Sequence, residues 1–280
     1  MTLVPERIED FRPPPASLVW LATAHLRAYF GPEFYGLEDI DPSRAYLLVG
    51  NHTIYGVVDV PVYFAAIYRE TGIYARGLGH HLHFKVPLWR DVLRLCGGVH
   101  GTRENCRRLM RSGQSIMVFP GGGYEVCRKK GEENRLIWKN RMGFVKLAAD
   151  FGYPILPFAS LGVDDAYDIL LDGRDFARSP MGRVVNRVPR LNSLWKGGEE
   201  MPPIALSLGP TPFPRPARLY FSVGRPVETM AFAGQGDDPA AMRRLRDQVE
   251  DSIMNQLDRL RHIRSMRDDS GLVRRLLNRL

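Results

Sequence analysis

Short apolar runs alternate with amphipathic stretches along most of the chain. Ala45–Val49 (AYLLV) predicts a buried strand, and Val57–Arg69 after it predicts a helix. Ile73–Ala75 predicts a short strand, followed by an apolar helix around Leu88–Leu95 and another helix over Glu104–Arg111. Ser115–Phe119 (SIMVF) reads as a strand and Gly143–Asp150 as a helix, with further strands at Ile155–Phe158, Ile204–Leu208 and Arg218–Val223. This alternation predicts an α/β fold, a mostly parallel central sheet flanked by helices, with helical extensions at the N- and C-terminal ends.

At the N-terminal end, Ser17–Phe30 follows Pro13-Pro14-Pro15 and sets Leu18, Leu21, Ala22, Leu26 and Tyr29 on one face. Two readings fit it: a helix packed on the core, or interfacial membrane contact through Trp20, Phe30, Phe34 and Tyr35. At the other end, Ala240–Leu280 is a long arginine-rich helical stretch broken near Ser270-Gly271. Its last part, Gly271–Leu280, is basic and amphipathic, fitting either a membrane-surface foot or a helix docked on its own domain. The expected organisation is an N-terminal helical segment at 1–36, an α/β domain at 37–230 and basic C-terminal helices at 231–280. Asp172–Pro203, rich in Pro, Gly and Arg, reads as a surface insertion.

Composition narrows the class. The 280 residues are 44% hydrophobic and 25% charged, which excludes extensive disorder, a collagen-like repeat and a disulfide miniprotein. Three cysteines without C-x-x-C spacing fit a reducing compartment. Met1–Pro15 lacks the apolar core of a signal peptide, and no run reaches the ~18 apolar residues of a membrane span. The expected relation to a membrane is therefore to lie on it. Charge adds a second clue: 39 basic against 31 acidic residues give +8. Residues 101–146 hold +7 and 240–280 hold +4, whereas 1–100 and 147–239 are slightly acidic. Concentrated positive charge attracts phosphates, on a nucleic acid, an anionic membrane or a phosphorylated ligand. Apart from Trp138, the basic segments lack the interleaved aromatics that stack on bases, which argues against nucleic acid.

Three constellations carry chemistry. Gly50-Asn51-His52-Thr53 stands at the carboxyl end of a predicted strand, where open α/β sheets bind ligands. Asp59 follows at H-x6-D, and a histidine held by a carboxylate can take the proton of an attacking hydroxyl. Phe119-Pro120-Gly121-Gly122-Gly123-Tyr124-Glu125 stands at another strand end. Consecutive glycines let a backbone approach a ligand closely and aim N–H groups at an anion or developing oxyanion. Arg128-Lys129-Lys130, with Lys139, Arg141 and Lys146, suits either a solvated face or phosphate groups. His80-His81-x-His83 has no accompanying carboxylate or cysteine cluster, so no metal is expected. Neither a Walker motif, a G-x-G-x-x-G run nor a complete G-x-S-x-G elbow occurs.

Together these blocks resemble the glycerolipid acyltransferase superfamily, with closer likeness to its diacylglycerol acyltransferase and phytyl ester synthase branch. The resemblance runs from about Tyr46 to Val227 and rests on GNHTIYGVVD, GGVHGTRENCRRLMRSGQSIMVFPGGGYE and LIWKNRMGFVKLAADFGYPILPFASLG. It implies transfer of a fatty acyl group from acyl-CoA, or an acyl carrier protein, to a lipid hydroxyl. His52 takes the general-base position, Arg103 the family's arginine position, and Arg103, Lys139 and Arg141 are candidates for donor or acceptor phosphates. No cofactor is implied beyond acyl-CoA as substrate, and the implied location is the cytoplasmic face of an anionic membrane, peripheral or monotopic.

Two departures matter. The usual H-x4-D spacing falls on Val57, and the acid is Asp59. Seven helical residues span about 10.5 Å, so either Asp59 or Glu125 is left to orient His52. The FPGGGYE turn also has Gly121 where phosphate-acceptor members carry Glu, and it has no arginine. That points to a neutral acceptor such as diacylglycerol or a long-chain alcohol. The alternatives are a lysophospholipid or glycerophosphate acyltransferase, and a non-catalytic lipid-binding relative.

Overall fold

The computed structural model describes residues 8–189 and 199–267. Seven strands form one sheet: β1 (Glu33–Tyr35), β2 (Leu47–Gly50), β3 (Arg76–Gly79), β4 (Val99–His100), β5 (Ile116–Val118), β6 (Ile155–Leu161) and β9 (Tyr220–Val223). Their order across the sheet is β1-β9-β6-β2-β5-β3-β4. Every neighbouring pair is parallel except β6 and β9, which run antiparallel. The expected α/β class is therefore the observed one. Two further strands, β7 (Asp168–Leu171) and β8 (Ile204–Leu206), pair with each other away from the main sheet. Ile204–Leu208 thus supplies a strand, but to this small ribbon.

The central strands are buried on both faces, so their side chains divide between two cores. Leu47 and Val49 of β2, Ile116 of β5 and Ile155 of β6 face one cluster, while Leu48, Met117 and Leu156 face the other. The first is covered by α5 (Arg103–Arg111), α7 (Gly143–Phe151) and the long α10 (Pro239–Ser265). Helix α10 buries Ala241, Met242, Leu245, Val249, Ile253, Leu257 and Leu260, one stripe of a helical period, against the sheet. Gly271–Leu280, the part for which a membrane foot and a docked helix were weighed, lies outside the described residues. The second core is covered by α3 (Asp59–Thr71) and by Phe30 at the end of the N-terminal helices.

The single N-terminal helix expected over Ser17–Phe30 is two, α1 (Ala16–Ala22) and α2 (Ala24–Phe30). Thr23 breaks it. Its hydroxyl turns back onto the Trp20 carbonyl at 3.1 Å, and Arg27 Nη1 donates to the same carbonyl at 2.6 Å. The aromatic residues weighed as membrane contacts have partners within the fold. Trp20 carries the guanidinium of Arg27 3.3 Å from its ring centroid and that of Arg69 at 4.3 Å. Phe30 is buried, Phe34 stacks on Phe221 at 5.2 Å, and the Tyr35 hydroxyl donates to Glu33. No helix among the described residues is long and apolar enough to cross a membrane.

Strand β3 begins three residues later than Ile73. Its first residue is a buried arginine, Arg76, whose Nε donates to the Gly97 carbonyl at 2.7 Å and whose Nη1 donates to Gln114 at 2.6 Å. A strand opening on Arg and Gly carries no apolar signature. The remaining helices are α4 (Trp89–Leu95), the single turn α6 (Gly123–Val126), and α8 (Gly173–Arg178) and α9 (Pro180–Asn186) in the insertion.

Candidate active site

Strands β2 and β5 are parallel neighbours, so the GNHT and FPGGGYE segments leave the sheet side by side at their carboxyl ends. The chain after β2 is pinned at each residue. Asn51 clasps Ser160 of β6 with two bonds of 2.8 Å, Nδ2 donating to its carbonyl and Oδ1 accepting from its amide. His52 is held by its main chain. Its N–H donates to Glu125 Oε2 at 3.1 Å, and its carbonyl accepts from Arg128 Nη2. Ile54 N–H donates to Asp164 Oδ1 at 2.8 Å, and Asp164 Oδ2 pairs with Arg128 Nη1 at 3.0 Å.

Glu125, Arg128 and Asp164 are all buried. Each ionic group is balanced by another charge or by main-chain partners, as burial demands. The second oxygen of Glu125 accepts the Ile137 N–H at 2.9 Å, so both its oxygens serve backbone amides. Burial pushes the Glu125 carboxyl up to about 7, although those amides and the Arg128 guanidinium pull it down.

The His52 imidazole stacks on Phe119, ring centroids 4.0 Å apart and planes 16° from parallel. Gly56 comes close to it as well: a Cβ there would overlap the ring at Cε1. Tyr55 and Gly56 both adopt left-handed conformations, φ 59° and 61°, folding the loop over the imidazole. Burial drives the His52 pKa down to about 3, so the ring is neutral at physiological pH. Its Nδ1 has no hydrogen-bond partner among the described residues. Asp59, the first residue of α3, is buried with Oδ1 unpartnered, and burial pushes its carboxyl up to about 6. No hydrogen bond joins the His52 ring to Asp59 or to Glu125. Glu125 reaches His52 through its backbone amide.

The glycine run lies beneath side chains. Gly121 lies against the Glu125 carboxyl, Gly122 (φ 50°) beside Arg141 and Gly123 beside the Glu200 carboxyl. The Gly122 amide closes a turn onto the Phe119 carbonyl at 3.0 Å. Around it stand the basic residues. Arg141 Nη1 donates to the Pro120 carbonyl at 2.8 Å and pairs with Glu200 at 3.9 Å. Lys139 lies 3.5 Å from the Tyr124 ring centroid and bonds Glu199 at 2.9 Å, and Lys129 pairs with the same Glu199. Arg103 is exposed at the start of α5, 4.0 Å from where a Cβ of Gly143 would stand.

The structure thus gathers His52, Glu125 and Gly121–Gly123 into one locus, with Lys139 and Arg141 at its rim and Arg103 on the surface. It adds Asn51, Phe119, Arg128 and Asp164, to which the sequence pattern assigned no such roles. Asn51 was within reach of a reading, standing between a strand end and His52. Arg128 carries no distinguishing mark beside Lys129 and Lys130.

Known proteins resemble the chain in sequence and in fold. Residues 31–161 match the family model described as Acyltransferase. The chain is 29% identical over 254 residues to phytyl ester synthase 2, chloroplastic, of Arabidopsis thaliana, covering 87% of this chain and 36% of the relative. It is 31% identical over 145 residues to the DGAT1/2-independent enzyme synthesizing storage lipids of Mus musculus, covering 51% of this chain and 43% of the relative. The chain therefore spans less than half the length of these curated relatives. Among solved structures, the fold is similar to the 1-acyl-sn-glycerophosphate acyltransferase of Thermotoga maritima, with a TM-score of 0.53 at 15% identity, covering 88% of this chain and 79% of that one.

Proposed function

We propose, from the membership of residues 31–161 in the acyltransferase family, that this chain is an O-acyltransferase moving a fatty acyl group from a thioester to a lipid hydroxyl. The observation that carries the reading is the His52 imidazole: neutral, stacked on Phe119 at the carboxyl end of β2, and clamped through its main chain. A neutral imidazole is the form that accepts a proton. As the acceptor oxygen attacks the thioester carbonyl, His52 takes the hydroxyl proton. When the tetrahedral adduct collapses, the C–S bond breaks and that proton passes to the departing thiolate.

Glu125, with both oxygens on backbone amides, holds the His52 main chain. Asp59, with Oδ1 unpartnered, is the carboxylate left to orient the ring. The Gly121 and Gly123 amides are the oxyanion donors in this scheme, since the Gly122 amide is taken by the Phe119 carbonyl. Lys139, Arg141 and Arg103 receive the phosphates of an acyl-CoA donor, which replace Glu199 and Glu200 at the rim.

A neutral acceptor, diacylglycerol or a long-chain alcohol, is supported by the absence of arginine from the FPGGGYE turn. The names of the phytyl-ester and storage-lipid relatives point the same way. The basic rim favours the second reading, a lysophospholipid acceptor. The working location is the cytoplasmic face of a membrane, where either acceptor resides.

The test is His52→Ala. Acyl transfer from labelled acyl-CoA falls by roughly 10²–10⁴-fold while the circular dichroism spectrum is unchanged. Full turnover in that variant removes the mechanism. In an acceptor panel, preference for a phosphorylated lipid over every neutral alcohol replaces the first acceptor assignment with the second.

A further inference from the structure

The insertion ends in Glu199-Glu200-Met201-Pro202-Pro203, which leads directly into β8. This short strap touches the basic rim, the glycine turn and the loop after His52. Glu199 bridges Lys129 and Lys139, the second at 2.9 Å. The Glu200 carboxylate pairs with Arg141 at 3.9 Å and lies against Gly123, where a Cβ would stand 2.8 Å from its Cδ. Three residues further on, the Pro203 carbonyl accepts the Tyr55 hydroxyl at 2.8 Å.

At the rim, the strap holds the partners of an anionic ligand. Its two carboxylates engage Lys129, Lys139 and Arg141, and the Glu200 side chain, 8% exposed, fills the space beside Gly123. Another anion approaching that space meets like charge. Exchange is nevertheless feasible. Glu199 is 40% exposed, and an ion pair that water reaches is a weak one. A phosphate carries more charge and more acceptor oxygens than a carboxylate, so it competes for the same cations.

The sequence of the strap connects the rim to the base. Pro202 and Pro203 fix their own φ and hold the residues before them extended, so residues 201–203 form a stiff rod. Glu200 stands at one end and the Pro203 carbonyl at the other. Tyr55 takes hold there in a left-handed conformation, and Gly56 beside it comes close to the His52 ring. Lys139, a partner of Glu199, is left-handed as well, φ 51°. Among the described residues four non-glycine positions have such backbones, and the strap grips two of them. Conformations of this kind persist only where surrounding contacts impose them.

We propose that residues 199–203 form an autoinhibitory strap: Glu199 and Glu200 fill the anion subsite at the glycine turn, and an arriving phosphate-bearing ligand exchanges with them, draws Pro203 off Tyr55 and frees the loop around His52. The inference rests on the acyl-transfer reading for the identity of that ligand, an acyl-CoA. It makes donor binding the event that opens the base.

The test follows backbone hydrogen exchange in the full chain, with free CoA and inorganic pyrophosphate as probes. Saturating CoA speeds exchange of the Glu199, Glu200 and Met201 amides and of the Tyr55 and Gly56 amides together, each by at least about threefold. In the double variant Glu199→Gln, Glu200→Gln, both segments exchange fast without ligand, and CoA binds at least about fivefold more tightly. Tyr55→Phe keeps the ring edge on Tyr167 and removes only the Pro203 bond, so the strap still responds to CoA while residues 55 and 56 exchange fast throughout. Faster exchange of the strap alone in the unaltered chain overturns the proposal. So does a double variant that binds CoA no more tightly, or the absence of a response to either probe, which makes residues 199–203 a structural connection. If pyrophosphate opens both segments and CoA does not, the strap stands and the acyl-CoA assignment fails. If acyl-CoA is turned over in a His52-dependent way and neither segment responds, the acyl-transfer reading stands and the strap fails.

Discussion

Charges four residues apart in this protein belong to two different regimes. Glu125 and Arg128 point inward, are buried, and grip the N–H and the carbonyl of His52. Lys129 and Lys130, the next residues along, pair with the carboxylates of Glu199 and Asp175, Lys130 at the surface. Inside, the partners are main-chain atoms and Asp164, with no solvent to replace them. At the rim, the partners are side chains that a ligand's anionic groups can replace. The difference teaches that positive charge near a site is not one kind of evidence. A buried guanidinium sets the position of the base, and a rim ammonium sets affinity for what arrives.

The contrast is sharpest in stability. Arg128→Met leaves Asp164 and the His52 carbonyl without their partner, and urea unfolding should show a loss of about 3–5 kcal/mol. Adding Asp164→Asn should recover part of it, because the stranded charge is gone. Lys130→Met, at the exposed pair with Asp175, should cost about 0–1 kcal/mol. Equal costs for the two single variants would erase the distinction between interior and rim.

A titration sharpens the interior side. The Asp59 carboxyl rises from 3.8 unfolded to about 6 folded, so the folded state binds the extra proton. Relative to Asp59→Asn, the unaltered protein should lose stability on the order of 3 kcal/mol as pH rises between those values. His52 runs the other way. Its pKa falls from 6.5 to about 3, so its contribution is present above 6.5 and is lost as pH falls through about 3. Its ring proton resonances should therefore not shift between about pH 5 and 8. A midpoint near 6.5 would show that the imidazole is solvated.

The smallest effect belongs to the rim. Glu199→Gln should change stability by no more than about 1 kcal/mol. Under the acyl-transfer reading it should lower KM for acyl-CoA severalfold at low salt, with the gain shrinking as salt screens the rim. An unchanged KM combined with a large loss of stability would move Glu199 into the structural class.

The central strands were legible because burial on both faces makes them short, unbroken apolar runs, as AYLLV and SIMVF show. Three-residue β1 and the Arg-Gly opening of β3 have too little apolar character to register. The site was legible as two strand ends, and the glycine run and His52 do share one locus. The link between them was not. Arg128 looks like its neighbours Lys129 and Lys130, and its partner Asp164 lies far along the chain, so no local pattern announces the pair. Trp138 illustrates the same limit: in the sequence it stands among basic residues, yet it is buried against Phe144.

The left-handed turn at Tyr55-Gly56 has a consequence for the fate of the thioester. Water is the acceptor always in excess, and hydrolysis is the competing outcome for any acyl transferase whose base is open to solvent. The His52 ring, stacked on Phe119 and close to the Gly56 backbone, is still partly exposed. Under the acyl-transfer reading, the yield of ester over free fatty acid depends on how far water reaches that ring, and a Cβ at Gly56, which would have to displace it, should alter the ratio of synthesis to waste.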